Sequence, residues 1–406
     1  MAGQMDRVIL HCDANNFFAS VESLARPELK TVPMAVSNSD DRRHGVILAK
    51  NDLAKPFGVK TGESVLEALK KCPGLTLVKP HRAQYGEYSR KLNALYQRYT
   101  DRVEAASIDE SFLDVTDCQA LFGSGEEIAN ALRKSAREEL GLTISVGVSF
   151  NKTFAKLGSD YKKPDATTVL NRENFRQILY PLPAGAMLGV GGAAEASLNR
   201  IGIHTMGDIA AVPRETLVAC LGKFGGAVWD GVMGLDRERV KRVGEYEPPK
   251  SIGNGETFPR DIRGREEIEV ALMALTDSVA QRLRAHGMVA KTVTVQIKNP
   301  SLKVISRQVA LAHPTSATLA LYRAARDLLL KTWHAEAPIR MLTVTLSGLS
   351  DPEDARQLSL FDDEAGEARD ERLYHAVDAI RQRYGTDALK PAILLTQLFN
   401  EDDPIR

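Results

Sequence analysis

The sequence has few cysteines, few aromatic residues and no long apolar run. Its 406 residues include 4 cysteines, and aromatic residues make up 6%. No two cysteines are close enough for a CxxC pair, so neither a zinc site nor a disulfide framework is expected. No run approaches about 18 apolar residues, and the N-terminal apolar run is too short for a signal peptide. These absences predict a cytoplasmic protein with reduced thiols and no membrane span.

Nucleotide-binding glycine motifs are also missing. Neither GxxxxGK[ST] nor GxGxxG occurs at a junction between a strand and a helix, which excludes the usual P-loop and dinucleotide-binding sites. The 53 basic and 53 acidic residues balance, but residues 351–406 hold 14 acidic and 7 basic residues, and the first 350 residues hold 39 and 46. A mildly basic body with an acidic tail is compatible with a polyanionic partner.

The apolar pattern predicts an α+β protein with several domains. Strand-like runs such as RVILHC and LTISVGVSF alternate with helices of unequal length before residue 180, which favours a sheet with helices on one face. Residues 182–245 have a mainly helical pattern, and GEYEPPKS at 244–251 has the composition of a linker. Residues 252–349 again alternate between helix and strand, and an amphipathic helix is expected at about 371–385.

Three acidic residues lie in or beside apolar, strand-like runs. Asp13 follows RVILHC, and Asp109 and Glu110 lie at a turn within VEAASIDESFLDVT. Adjacent carboxylates repel one another in an apolar setting, but a divalent ion between them makes them mutually favourable. Taken singly, Asp13 also fits a helix cap and the acid pair also fits a solvated turn. The joint pattern favours a metal site, which we expect to be electrostatically strained without its ion.

Four motifs together resemble the Y-family DNA polymerases of the DinB type. They are ILHCDANNFFASVE, GVKTGE, ASIDESFLDVT and SVGVSFNKTFAKLGSDYKKPD, and the match runs in order over most of residues 6–350. The resemblance implies a right-hand polymerase with a palm, small fingers, a helical thumb and an α/β little finger. It places the palm at 1–19 and 79–180, the fingers at 20–78, the thumb at 181–243, the little finger at 244–350 and an acidic tail at 351–406.

The resemblance also assigns the metal and nucleotide sites. Two Mg²⁺ ions, for which Mn²⁺ can substitute, would be held by Asp13, Asp109, Glu110 and the main-chain carbonyl of Ala14. Two such ions can activate an attacking hydroxyl and stabilise a leaving pyrophosphate. The nucleotide would contact Phe17, Phe18, Lys55 and Lys163.

The roles of these nucleotide-site residues differ. Phe18 matches the steric gate, an aromatic ring that leaves no room for a 2′-hydroxyl, whereas core packing is an equally good interpretation of Phe17. Lys163 would neutralise phosphate charge. Lys152 and Lys156, in the same motif, are expected to have structural and DNA-side roles.

The chain departs from the family pattern in the fingers. The family usually places a Tyr and an Arg one helical turn apart to hold the triphosphate, and this chain has Asp52 and Lys55 there. Lys55 keeps the charge but loses the bidentate fork, and an ionised Asp52 cannot donate to phosphate. Two alternatives stay open: Lys50 or a helix N-terminus compensates, or Asp52 orients Lys55.

The thumb, the little finger and the tail supply the expected partner contacts. GVGGAAEASLNRIGIHTMGDI at 189–209 resembles a helix-hairpin-helix, in which Gly189 and Gly191 would let the backbone approach phosphate. The expected phosphate contacts of the little finger are Arg260, Lys291, Lys298, Lys303 and Arg307. The peptide Gln357, Leu358, Ser359, Leu360 and Phe361 resembles the bacterial sliding-clamp binding motif.

The resemblance predicts a monomeric, error-prone translesion DNA polymerase without proofreading. Its partners would be primer–template DNA, a deoxynucleoside triphosphate and the sliding clamp. One alternative is a non-catalytic scaffold that binds DNA and the clamp on the same fold, although the intact acid triad argues against it. A second is another palm-fold nucleotidyl-transfer enzyme, such as a cyclase, which would leave the thumb motif and the clamp peptide unexplained.

Overall fold

The computed structural model describes residues 6–38, 45–353 and 364–395. The chain divides into two compact units, Met1–Glu245 and Tyr246–Arg406. None of the helices in the described ranges is both long and apolar enough to cross a membrane.

The first unit is built on two sheets. Its described strands are β1 (Ile9–Ala14), β2 (Met34–Ser37), β3 (Ile47–Lys50), β4 (Thr76–Val78), β5 (Val103–Ala105), β6 (Glu110–Asp114), β7 (Ile144–Ser149) and β8 (Thr167–Leu170). The larger sheet has the order β5-β6-β1-β7-β8, and the smaller has the order β3-β2-β4. In the larger sheet β1 pairs antiparallel with both β6 and β7, so it is a central strand.

Helices cover both sheets and fill residues 192–232. They are α1 (Phe17–Ala25), α2 (Val65–Lys71), α3 (Arg82–Tyr96), α4 (Gln119–Phe122), α5 (Gly125–Leu140), α6 (Lys152–Tyr161), α7 (Phe175–Leu179), α8 (Gly192–Arg200), α9 (Met206–Ala211), α10 (Arg214–Leu221) and α11 (Lys223–Val232). The mainly helical character predicted for 182–245 is present in this segment.

The larger sheet is covered on both faces, so the prediction of helices on one face is wrong. Leu10 and Cys12 pack in one core with α3 and α5, whereas Ile9 packs with Ala155 of α6 on the opposite face. Alternation along β1 sends successive side chains to opposite faces. A Cβ at Gly147 would lie 1.9 Å from the carbonyl oxygen of Ala155. This glycine therefore allows α6 to approach β7 closely.

The segment after α11 returns to the α6 face of the sheet. Val240 is buried beside Ile9 and Ala155. The ammonium of Lys152 lies 2.8 Å from Glu104 and 2.9 Å from Glu238. This largely buried lysine ties β5, α6 and the returning segment together.

The second unit is a four-stranded antiparallel sheet with two helices against one face. Its described elements are β9 (Ser251–Ile262), α12 (Arg265–Ala285), β10 (Val289–Lys298), β11 (Val304–Thr315), α13 (Thr318–Thr332), β12 (Ile339–Ser350) and α14 (Glu364–Tyr384). The strand order is β11-β10-β12-β9. Apolar side chains of the sheet, α12 and α13 form one core. The sequence pattern did not single out β9 as a strand, because SIGNGETFPRDI is rich in glycine and polar residues and contains a proline.

The C-terminal helix α14 packs onto α12 and extends further toward the N-terminus than expected. Arg284 of α12 pairs with Asp378 through nitrogen–oxygen distances of 2.6 and 3.1 Å. Arg381 of α14 lies 2.8 Å from Asp277 of α12. The helix is thus held to α12 by two largely buried ion pairs.

Candidate active site

The pairing of β1 with β6 places two of the predicted metal ligands side by side. Asp13 is the antiparallel partner of Glu110, and partners of this kind project side chains from the same face of a sheet. Asp13 is 5% exposed, and Glu110 is half-buried. The sheet therefore fixes a carboxylate pair on its α6 face.

Two lysines contact this carboxylate pair. The Nζ atom of Lys156 lies 3.0 Å from Asp13 Oδ2 and 2.8 Å from Glu110 Oε1. The Nζ atom of Lys163 lies 2.6 Å from the same Asp13 oxygen. The predicted Lys163 is thus present at the site. Lys156, for which structural and DNA-side roles were expected, also contacts the pair.

The lysines change the expected electrostatics of the site. Although burial lowers it, contacts with Glu110 and Asp13 leave the pKa of Lys156 raised, so the ammonium stays charged at neutral pH. A cation therefore already lies between the two carboxylates, and the strain expected of a site without metal is largely relieved. A signal for Lys156 was its position one turn after Lys152 on the buried face of an amphipathic helix.

The pKa values of the two carboxyl groups are shifted in opposite directions. Burial, reinforced by the contact with Glu110, raises the pKa of Asp13. The neighbouring His11 ring, followed by Asp13 and Lys156, holds the pKa of Glu110 below its usual range against the effect of burial. Two acids that share one site often titrate unequally in this way, which is typical of groups arranged for chemistry.

Asp109 is close by, but its side chain does not join the pair. Its carbonyl accepts a 3.0 Å hydrogen bond from the amide of Ala14, and its carboxylate accepts one of 2.7 Å from the Ser107 hydroxyl. Residues 105–108 are exposed, with Ile108 at 41%, so the turn between the paired strands β5 and β6 faces solvent. Within the described ranges, no group of three or more histidine, cysteine or acidic side chains is preassembled as a metal site.

The residues nevertheless fit a divalent cation. Hard cations take oxygen ligands, and carboxylates with substrate phosphates are the usual set for Mg²⁺. Asp13 and Glu110 already direct oxygens at one positive charge, the ammonium of Lys156, which stands in for such an ion. Rotation of the half-exposed Asp109 side chain away from Ser107 would add a third carboxylate.

A buried histidine beneath the site was missed by sequence reasoning. His11 is 0% exposed, and its Nδ1 lies 2.8 Å from the Ser159 hydroxyl. Its Nε2 faces Glu110 Oε2 at 3.7 Å and has no closer partner among the described residues. Burial lowers the pKa of His11, so the ring is neutral. The available signal was a polar residue two positions before Asp13 in an apolar strand.

The two phenylalanines at the start of α1 have different surroundings. Phe17 is 3% exposed and packs in the core beside Tyr85, which favours the core-packing interpretation of this residue. Phe18 is partly exposed and stacks on Tyr85 with ring centroids 4.2 Å apart. The Tyr85 hydroxyl donates a 2.5 Å hydrogen bond to Glu22, which fixes the surface behind Phe18.

Asp52 and Lys55 lie in a turn and a short 3-10 helix after β3, not in a regular α-helix. Asp52 Oδ1 lies 2.6 Å from Lys55 Nζ and accepts a 3.0 Å hydrogen bond from the side-chain amide of Asn16. Of the two alternatives left open by the sequence, this geometry favours an Asp52 that orients Lys55.

The residues predicted to contact DNA have different surroundings within each unit. Gly189 has φ +80°, and an added Cβ would lie 3.0 Å from Phe224, while Gly191 faces open space. In the second unit the exposed Arg307 lies opposite Val295, whose side chain is in the helix-covered core.

The other basic residues of the second unit also differ in position. Arg260 is bonded to Glu267 of α12 at 2.6 Å, which places it on the helix side as well. Lys298 lies on the uncovered face, opposite Met341 and Val304. Lys291 is at a β-bulge, and Lys303 follows the turn after β10. The predicted clamp peptide, residues 357–361, lies outside the described residues.

Comparisons with known proteins give a consistent result. The chain matches a family model described as the impB/mucB/samB family over residues 12–160 and the model of that family's C-terminal domain over residues 249–360. It is 44% identical to the DNA polymerase IV of Acetivibrio thermocellus, over 96% of this chain and 98% of the relative. It is 37% identical to the DNA polymerase IV 2 of Bacillus subtilis, over 96% of this chain and 95% of the relative.

A solved structure of a chimeric Y-family DNA polymerase is also similar. It aligns with a TM-score of 0.74 at 25% sequence identity, over 85% of this chain and 99% of the other. The likeness therefore includes both units of the chain.

Proposed function

The chain belongs to the impB/mucB/samB family as a DinB-type Y-family DNA polymerase, and on this premise we propose that the site around Asp13 and Glu110 adds deoxynucleotides to a primer. The family, the α+β polymerase fold and the translesion polymerase activity expected from the motifs are confirmed. The individual site residues, the metal and the partners belong to the proposal.

The strand register carries this proposal. Asp13 and Glu110 are cross-strand partners on one face of the sheet, and they share the ammonium of Lys156. Two fixed carboxylates facing one positive charge are what a site for a divalent ion and a phosphate chain requires. A scaffold that only binds DNA has no need for them.

We assign the metal to Asp13, Asp109, Glu110 and the main-chain carbonyl of Ala14. The family uses divalent metal ions, and we propose two Mg²⁺ ions, for which Mn²⁺ can substitute. When bound, they supply activation of the primer 3′-hydroxyl and stabilisation of the leaving pyrophosphate. The protein's own contribution is to orient the carboxylates through the sheet and to free them by withdrawal of the Lys156 ammonium.

Lys163 and Phe18 would act on the nucleotide. Lys163 is charged at neutral pH, because bonds to Asp13 and Asp160 raise its pKa although burial lowers it. It would neutralise the triphosphate as a point charge. The Phe18 ring, held against Tyr85, would exclude a 2′-hydroxyl and so favour deoxynucleotides.

Duplex contacts and recruitment complete the proposal. The glycine turn at Gly189 and Gly191 and the uncovered face of the second unit near Lys298 would contact the primer–template backbone. Residues 357–361 would bind the sliding clamp as an extended peptide. We propose a monomer that acts on DNA in the cytoplasm without proofreading, with palm, fingers, thumb and little finger at the boundaries given by the motifs.

A primer-extension assay with Mg²⁺ and deoxynucleotides tests the site. Glu110→Ala and Asp109→Ala should abolish extension while fluorescence anisotropy shows unchanged binding of primer–template DNA. Asp117→Ala, which removes a 72% exposed carboxylate, is the matched control and should extend normally. Full extension by either active-site variant would remove the metal assignment, and a wild-type protein that binds DNA without extending it would favour the scaffold.

A further inference from the structure

The carboxylate of Asp52 bonds to Lys55 and to Asn16, the residue that precedes α1. Its Oδ1 lies 2.6 Å from Lys55 Nζ and 3.0 Å from Asn16 Nδ2. Burial would raise the pKa of Asp52, but its bonds to Lys55 and Asn16 outweigh that effect and the pKa is lowered. Asp52 is therefore an anion at neutral pH, and it is 57% exposed at the side chain.

The position of Asn16 brings this anion close to the carboxylate pair. Asn16 follows Asp13 by three residues, a reach of about 10 Å at most. The chain between Asp13 and Asn16 is held in place at Asn15. Its side-chain oxygen accepts a 2.9 Å hydrogen bond from the Ser145 hydroxyl, and its backbone N–H donates to the Thr143 carbonyl. The bond from Asn16 therefore ties Asp52, and Lys55 with it, to the segment that follows Asp13.

The side chain of Asn16 does not cap the N-terminus of α1. The backbone of Asn16 is in the left-handed region, φ 50° and ψ 39°. The first turn of α1 also has no acidic residue. The amides of that turn favour an anion, and Asp52, which accepts from the side chain of the preceding Asn16, is an anion that the protein itself supplies.

We propose that Asp52 is an internal competitor for the nucleotide triphosphate. Without nucleotide its carboxylate holds Lys55, and an incoming triphosphate must take Lys55 from Asp52 to gain that contact. This proposal rests on the proposed function, in which the triphosphate binds beside Asp13. It gives Asp52 a specific effect: it weakens nucleotide binding and leaves the step at the primer 3′-hydroxyl unchanged.

Asp52→Asn tests the competition, because asparagine keeps an oxygen for Asn16 and loses the charge. Nucleotide affinity is measured by titration calorimetry of the complex with a dideoxy-terminated primer–template, which allows binding without reaction. We expect about five-fold tighter binding of the triphosphate, the scale of one partly exposed ion pair. A deoxynucleoside diphosphate should gain less, and both gains should shrink at high salt. The maximal single-turnover extension rate should not change.

Lys55→Met and the double variant identify the route. Lys55→Met alone should weaken triphosphate binding, and in the double variant the gain from Asp52→Asn should disappear, because the two effects act through one pair. Glu139→Gln is the matched control: Glu139 is an exposed carboxylate bonded to Arg98 at 2.7 Å, and its loss should not alter affinity.

Each outcome separates the two proposals. Unchanged or weaker triphosphate binding by Asp52→Asn, with a wild type that extends primers, would overturn the competitor role and leave the polymerase site intact. A gain that persists in the double variant would also overturn it, since Lys55 would not be the contested group. A wild type that neither binds the triphosphate nor extends a primer would overturn the proposed site itself.

Discussion

The two units of the chain bury charge in different ways. In the first unit Lys156 is shared between Asp13 and Glu110, and the nearby His11 Nε2 has no hydrogen-bond partner among the described residues. In the second unit Arg284 has a bidentate partner in Asp378 and also donates to the Ser316 carbonyl at 2.8 Å. One cluster is incompletely paired, and the other is satisfied.

The difference separates a site for chemistry from a structural contact. A buried charge is tolerated when it is paired and hydrogen-bonded, and removal of one partner is then costly. A cluster in which one ammonium is shared between two carboxylates can instead exchange that ammonium for an added cation. The carboxylates of the first unit are therefore expected to control activity, and the ion pairs of the second unit are expected to control stability.

Asp13→Asn should produce the largest effect on activity and little on stability. Loss of the carboxylate removes a ligand for the ions that activate the primer hydroxyl, so extension should fall by at least about 1,000-fold, equivalent to several kcal/mol. Burial raises the pKa of Asp13, so the fold disfavours its charge, and the urea midpoint should stay unchanged or rise. A marked drop in that midpoint would mean that the carboxylate is mainly structural, like the ion pairs of the second unit.

Arg284→Met should show the reverse, a loss of stability in the second unit. The arginine side chain is 2% exposed, so its removal leaves Asp378 partly buried without its partner, at a cost of about 3–5 kcal/mol. Chemical denaturation monitored by the tryptophan of that unit, Trp333, measures the loss. Arg265→Met on the same helix is the control, because Arg265 is 65% exposed and its pair with Glu269 should contribute little to stability. Equal effects of the two variants would falsify the structural assignment.

Lys156→Met should make the stability of the site around Asp13 and Glu110 depend on a divalent ion. Without the Lys156 ammonium, Asp13 keeps only Lys163 and Glu110 loses its ammonium partner, and the loss of charged hydrogen bonds should reduce stability by about 2 kcal/mol in the absence of divalent ions. Added Mg²⁺ should then raise the melting temperature more than in the wild type. Lys134→Met, at a 72% exposed position on α5, should show no such increase. If Mg²⁺ shifts both variants equally, the ammonium does not stand in for the ion.

The sequence predicted the acids of the site better than their surroundings. Asp13 and Glu110 could be identified because each lies in or beside an apolar strand, where an unpaired acid is unfavourable. The helical position of Lys156 was visible in the sequence, but its carboxylate partners could not be assigned, because they depend on how closely α6 packs on β7 at Gly147. Local pattern gives the periodicity of a helix but not the sheet face that it covers.

The same limit applies to the second unit. The helices and apolar strands followed from periodicity, and β9 did not, because its pairing with β12 compensates for a polar, glycine-rich sequence. Arg260 and Lys298 looked equivalent as basic residues. Register and packing distinguish them: Arg260 is on the helix side with Glu267, and Lys298 is on the uncovered face.

Lys298→Ala and Arg260→Ala remove exposed charges of the second unit and should have the smallest effects on DNA binding and stability. Lys298 has no ion-pair partner among the described residues, so it is available for a phosphate, whereas Arg260 is engaged by Glu267. Loss of Lys298 should weaken primer–template binding and reduce the slope of log affinity against log salt by about 1. Loss of Arg260 should leave that slope unchanged and cost at most about 1 kcal/mol of stability. Anisotropy titrations at several salt concentrations measure both slopes. An equal reduction for both variants would show that the ion pair with Glu267 does not keep Arg260 from contacting DNA.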